Sequence, residues 1–180
     1  MTEQRPASIR IERALAATTE VRALVDELDH ELSQHYAAEQ RHGLSVEAIF
    51  QPHVRFFVAW KGGVAVGCGG VALFADFAEI KRMYVRRESR GKGVADAIIA
   101  RLTAEALDAG LMRLRLETGT QQIAAIRSYR RNGFQPCTAF EPYSLMQPQA
   151  VATSLFLEKE LFVSREDGLC IDASKTGSTA

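Results

Sequence analysis

The chain has 180 residues, 47% of them hydrophobic and 24% charged, and its 22 basic residues balance 22 acidic ones for a formal net charge of zero. That length suits one domain with a sizeable core, and the balance gives no global bias toward nucleic acid or a membrane surface. No apolar run reaches the roughly 18 residues of a spanning helix, and the segment "MTEQRPASIR" has no signal-peptide apolar core, so the expectation is a cytoplasmic protein.

Residues 8–14 set Ile9 and Ile11 between polar neighbours, as in a half-buried strand. Thr18 or Thr19, followed by Glu20, opens a helix expected to run to about Tyr36, with Val21, Leu24, Val25, Leu28 and Leu32 on one face. "LSVEAIF" suggests a short second helix. "VRFFVAW" and "VAVGCGGVAL" are β-rich runs forming a hairpin that turns at Gly62-Gly63. A strand follows at about 78–85, where Ile80 and Tyr84 share one parity and Met83 and Val85 the other, a switch that a β-bulge would explain. Val94, Ile98, Ile99, Leu102, Ala106 and Leu107 trace a helix face that ends at Gly110. A strand at 113–118, a helix up to Asn132-Gly133 and a last strand at about 154–161 complete the order, which argues for a mixed α/β sheet. Residues 1–162 are expected to form a single domain, and 163–180 a flexible tail of small polar residues.

Cys68, Cys137 and Cys170 are odd in number, widely spaced and form no CxxC pair, so they read as packing thiols. The histidines gather in the N-terminal third, but His30 and His35, five apart on a helix, do not share a face, and no metal site is expected.

The stretch "RGKGVA", residues 90–95, puts two glycines between a strand and a helix. Free N–H groups and the dipole of a helix start favour an anion there, glycines allow close approach, and Arg90 and Lys92 add charge at the rim. The turn lacks the GxxxxGK[ST] and GxGxxG patterns of nucleotide sites. From the turn alone, a phosphate site and an ordinary connection both stay open.

"RGKGVA" also matches the Gln/Arg-x-x-Gly-x-Gly/Ala signature of the GNAT superfamily of N-acetyltransferases, with Arg90, Gly93 and Ala95 at the defined positions. "EIKRMYV" resembles the strand before that signature and "AIRSYRRNGF" the later helix, so that the similarity covers roughly residues 8–161. The resemblance implies a central, mostly antiparallel sheet of about seven strands flanked by about four helices, with two central strands splayed apart. It implies acetyl-coenzyme A as co-substrate, its pyrophosphate on the backbone from Arg90 through Gly91, Lys92, Gly93 and Val94 to Ala95. Backbone groups near Met83, Tyr84 and Val85 would bond the pantetheine, and Gln122, Ala125 and Tyr129 would complete the cofactor contacts. Many members carry Asn where this chain has Gln122, which keeps the amide and lengthens the arm by one methylene.

Acetyl transfer to an amine needs a neutral amine, a stabilised oxyanion and a proton for the leaving thiolate. By resemblance Tyr129 is the general acid. For the base, Glu79 is favoured over Glu117, both being carboxylates near the mouth of the splay. No cysteine nucleophile stands in the motifs, so direct attack in a ternary complex is expected. Phe50, Phe74, Phe77, Phe140 and Tyr143 lie in segments that shape the acceptor site in this family. The expected acceptor is the primary amine of a small molecule or amino-acid-like metabolite. The alternatives are a protein N-terminus or lysine, or a non-catalytic acyl-coenzyme A sensor. Neither nucleic acid nor membrane is expected as a partner, and the resemblance allows a homodimer.

Overall fold

A computed structural model describes residues 8–162; the expected tail at 163–180 lies outside them. In chain order the elements are β1 (Ile9–Ala14), α1 (Thr19–Ser33), β2 (Val54–Lys61), β3 (Val64–Leu73), β4 (Ala78–Val85), α2 (Val94–Asp108), β5 (Arg113–Gly119), α3 (Ile123–Arg131), β6 (Gln135–Pro136), α4 (Pro148–Val151) and β7 (Ser154–Glu160). The strands form one sheet in the order β1-β2-β3-β4-β5-β7-β6. Every neighbouring pair is antiparallel except β4 and β5.

Local chemistry accounts for most element boundaries. Thr18 caps α1 by accepting from the Val21 N–H, a contact that contributes about 1 kcal/mol. The helix buries Val21, Leu24, Val25 and Leu28 against Phe56, Val58, Cys68 and Tyr84 on one face of the sheet, at roughly 2 kcal/mol per side chain. It stops at Ser33, three residues before the sequence suggests, because Tyr36 turns away and its hydroxyl accepts from the Gln121 N–H at the end of β5. The expected second helix is a single 3-10 turn, Ala48–Phe50, anchored by buried Ile49. The hairpin turn is as read, with Gly62 and Gly63 at φ of 57° and 80°, the two positive values of a type I′ turn.

α2 and α3 cover the opposite face. Val94, Ile98, Ile99 and Leu102 pack with Leu114, Leu116, Tyr129 and Phe134. Within α2, buried Glu105 takes hydrogen bonds from Arg55 of β2 and from Arg101, which ties the helix to the sheet.

Two irregularities open the centre of the sheet. β4 and β5 pair only over Ala78–Ile80 and Leu114–Leu116, and beyond those residues they are not hydrogen-bonded to each other. One residue further along β4 the register against β3 slips, so that Arg82 and Met83 together face Gly69. Arg82 adopts φ of 55°, a left-handed conformation that costs an L-residue about 1–2 kcal/mol. Its guanidinium offsets that cost by bonding Asp29 of α1 and the Leu44 carbonyl. This bulge is the parity switch seen in the sequence: Ile80 and Val85 enter one core while Tyr84 enters the other. The splayed central pair is therefore present, within a seven-stranded mixed sheet and four α-helices among the described residues.

Candidate active site

The splay opens into a cleft of about 720 Å³ whose wall includes the turn before α2. Gly91 and Gly93 have φ of 72° and 80°, and nothing lies within 4 Å of the position a Cβ would take at either. The backbone conformation, not packing against the protein, therefore calls for glycine at both. The free N–H groups of the first turn of the 15-residue helix α2 begin directly after them. This cradle presents free amides and a helix dipole to the cleft, an arrangement that suits an anion.

Arg90 lines the cleft and is also tied into the protein. Arg90 donates through Nε to the Val85 carbonyl at 2.9 Å and through Nη2 to both oxygens of Glu31. Arg86 makes a two-point contact with Glu27, one helical turn away on α1. These pairs fix the connection beneath α1. Lys92 donates to the Glu88 carbonyl and, alone among the residues expected to hold coenzyme A, does not line the cleft.

A second cavity of about 100 Å³ lies beside the first, with Leu28, Met83, Gln122, Ala125 and Tyr129 bordering both. Its far side is built by Tyr36, the 40–43 loop, Lys81, Glu117 and Tyr143. Tyr129 thus borders both cavities, held edge-on to Phe134 with ring centroids 5.7 Å apart. Its hydroxyl has no hydrogen-bond partner among the described residues. Burial, reinforced by the charge of Glu117, raises its pKa well above the usual tyrosine value, so it keeps its proton through the neutral range.

The two carboxylates have different access. Glu79 is 1% exposed and lines neither cavity. One of its oxygens takes hydrogen bonds from the Tyr143 hydroxyl at 2.6 Å and from Lys81 Nζ at 2.7 Å, and Lys81 also donates to the Tyr143 oxygen. Glu117 does line the smaller cavity, where Ser154 donates to it at 2.6 Å. Burial raises the Glu117 pKa, opposed by the Ser154 hydrogen bond and the charges of His42 and Lys81, with Glu79 pushing it further up. Glu117 thus borders the smaller cavity, whereas Tyr143 and Lys81 wall Glu79 in, the carboxylate that the sequence favours.

Of the aromatics singled out, Phe140 and Tyr143 pack with Phe156 as a third small core, and Phe77 rests on it. Of these, Tyr143 alone lines either of the two cavities described. Sequence reasoning missed Arg41, His42 and Lys81. The first two sit in a loop without periodicity, and Lys81 is one charge among several on β4.

With this geometry in place, the relatives identify the lineage. Residues 19–134 match the model of the acetyltransferase (GNAT) family, and the chain belongs to that family. It is 39% identical over 140 residues to an IAA acetyltransferase of Azospirillum brasilense, covering 77% of this chain and 88% of that one. A Klebsiella pneumoniae structure described as an acyl-CoA N-acyltransferase superimposes with a TM-score of 0.69 at 34% identity, over 86% of this chain and 98% of that one. The PaiA N-acetyltransferase of Thermoplasma acidophilum, solved with coenzyme A, shares the fold with a TM-score of 0.65 at 16% identity, over 85% and 99%.

Proposed function

We propose that this acetyltransferase moves an acetyl group from acetyl-coenzyme A to the primary amine of a small acceptor by direct attack. The observation that carries this reading is the place of Tyr129, which borders both a cleft with an open glycine cradle and a compact cavity lined by Glu117. The coenzyme A held by the Thermoplasma neighbour is in keeping with that cradle.

In this reading the larger cleft holds the thioester, which supplies the acetyl group, and the smaller cavity holds the amine. The N–C bond forms as the C–S bond breaks. The acceptor ammonium loses two protons in all. Glu117 passes one toward solvent, and the second replaces the proton that Tyr129 gives to the departing sulfur. The raised pKa of Tyr129 suits this role because desolvation in the same cleft also raises the basicity of a thiolate.

A covalent acetyl-cysteine route is disfavoured by burial. Cys68 is wholly buried and its thiol pKa is pushed up to about 12, chiefly by desolvation, so little thiolate forms at neutral pH. Cys137 is also shifted upward by burial.

Tyr129→Phe tests the assignment. The expected outcome is a kcat lower by about 100-fold with acetyl-coenzyme A affinity unchanged, read from thiol release and calorimetry. Unaltered kcat would remove Tyr129 from the mechanism. The acceptor panel for these assays includes IAA, because the Azospirillum relative carries it in its name.

A further inference from the structure

The smaller cavity has an uneven charge inventory. Lys81 is matched by Glu79 and the Tyr143 oxygen, and Arg82 by Asp29 and the Leu44 carbonyl. His42 donates through Nε2 to the Ala150 carbonyl and lies edge-on to the Tyr143 ring. Arg41 is different. It lines the cavity, its Nε is buried without a hydrogen-bond partner, and it forms no ion pair among the described residues. A guanidinium with no protein anion beside it, its Nε buried and unbonded, favours an anionic ligand, and its planar fork is shaped for a carboxylate.

Size and position narrow the ligand further. The cavity is about 100 Å³, well below the roughly 300 Å³ at which sites for drug-sized ligands begin. It shares Tyr129 with the larger cleft and has Arg41 and Glu117 both in its wall. A compact molecule carrying an amine and a carboxylate matches this arrangement, whereas a lysine-rich peptide would bring more cations to an unmatched guanidinium. Resting on the acetyl-transfer reading, we propose that the acceptor is a small amino acid, its carboxylate received by Arg41 while its amine meets the thioester beside Tyr129.

The test measures thiol release from acetyl-coenzyme A with the proteinogenic amino acids and β-alanine, each against its own carboxamide. The amide has the less basic amine and is more often neutral, which biases the comparison against the proposal. Wild-type protein is expected to favour at least one acid over its amide by tenfold or more in kcat/KM. Arg41→Gln should erase that preference by raising KM for the acid at least tenfold, with kcat, melting temperature and acetyl-coenzyme A affinity nearly unchanged. Arg41→Lys should recover part of the loss. Amides used as well as acids by the wild type, or a preference that survives Arg41→Gln, would overturn the carboxylate site and leave acetyl transfer standing. If Arg41→Gln does not fold, the wild-type ratio still decides. Binding of acetyl-coenzyme A with no release to any amine would overturn acetyl transfer and this proposal with it.

Discussion

Glu117 and Tyr129 both line the smaller cavity, and the charge of Glu117 adds to burial in raising the Tyr129 pKa. Burial holds the Glu117 carboxyl above the ordinary carboxylate value of about 4.3. A carboxyl with a folded pKa above its unfolded one stabilises the protein while protonated. That contribution is whole below the unfolded value and is lost as pH rises through the folded one. Glu117→Gln removes the ionisation and keeps a side chain that Ser154 can bond. The variant should therefore melt at or above the wild-type temperature at pH 8, an advantage that vanishes near pH 4. Its kcat/KM should fall by about 100-fold or more, and the acidic limb of the wild-type pH profile should lie above 4.3 and be missing from the variant. A variant less stable than wild type at pH 8 would contradict the burial argument. Why Glu79 reads as the better base in the sequence is also a matter for this scale. Glu79 and Glu117 are both carboxylates on strands near the splay, and the contact that separates them comes from Tyr143, 64 residues beyond Glu79. Local pattern cannot register a contact of that range.

The turn between β4 and α2 shows what local pattern can register. Its two positive-φ glycines, the strand before it and the apolar face of α2 are all dictated by neighbours within a few residues, and all are legible in residues 78–107. The bulge at Arg82 is legible as a broken alternation, although its anchors, Asp29 and Leu44, are not. The 40–43 loop is opaque for the opposite reason. Arg41 and His42 belong to no periodic element, and their position in the cavity depends on how α1 and β4 pack. Gly93→Ala probes the turn directly. A Cβ there meets no protein atom within 4 Å, so the loss of stability should be confined to the backbone cost of about 1–2 kcal/mol. In the cradle the same methyl occupies space assigned to a phosphate, and acetyl-coenzyme A affinity should drop tenfold or more. Affinity equal to wild type in a folded Gly93→Ala protein would move the pyrophosphate elsewhere.

Across the whole molecule, the sheet is a frame for one gap. Only three residue pairs join β4 to β5 before they part, and the faces of the sheet divide the labour around that opening. α2 and α3 supply the cradle and Tyr129 from one side, while α1, the 40–43 loop and the segment bearing Tyr143 enclose the smaller cavity from the other. Ion pairs from Glu27 and Glu31 to Arg86 and Arg90 keep the two sides in register. The seven strands and the gap follow from alternation, glycine placement and the family resemblance, so the architecture is legible in the sequence. The acceptor side was not, because it is assembled from segments far apart in the chain. The most direct test of the account is calorimetric titration of the purified protein with acetyl-coenzyme A, followed by thiol release on adding the amine panel. Saturable binding at one site, with release only when an amine is present, is the predicted result. Failure of acetyl-coenzyme A to bind would contradict the central claim that the gap between β4 and β5 is a coenzyme A site.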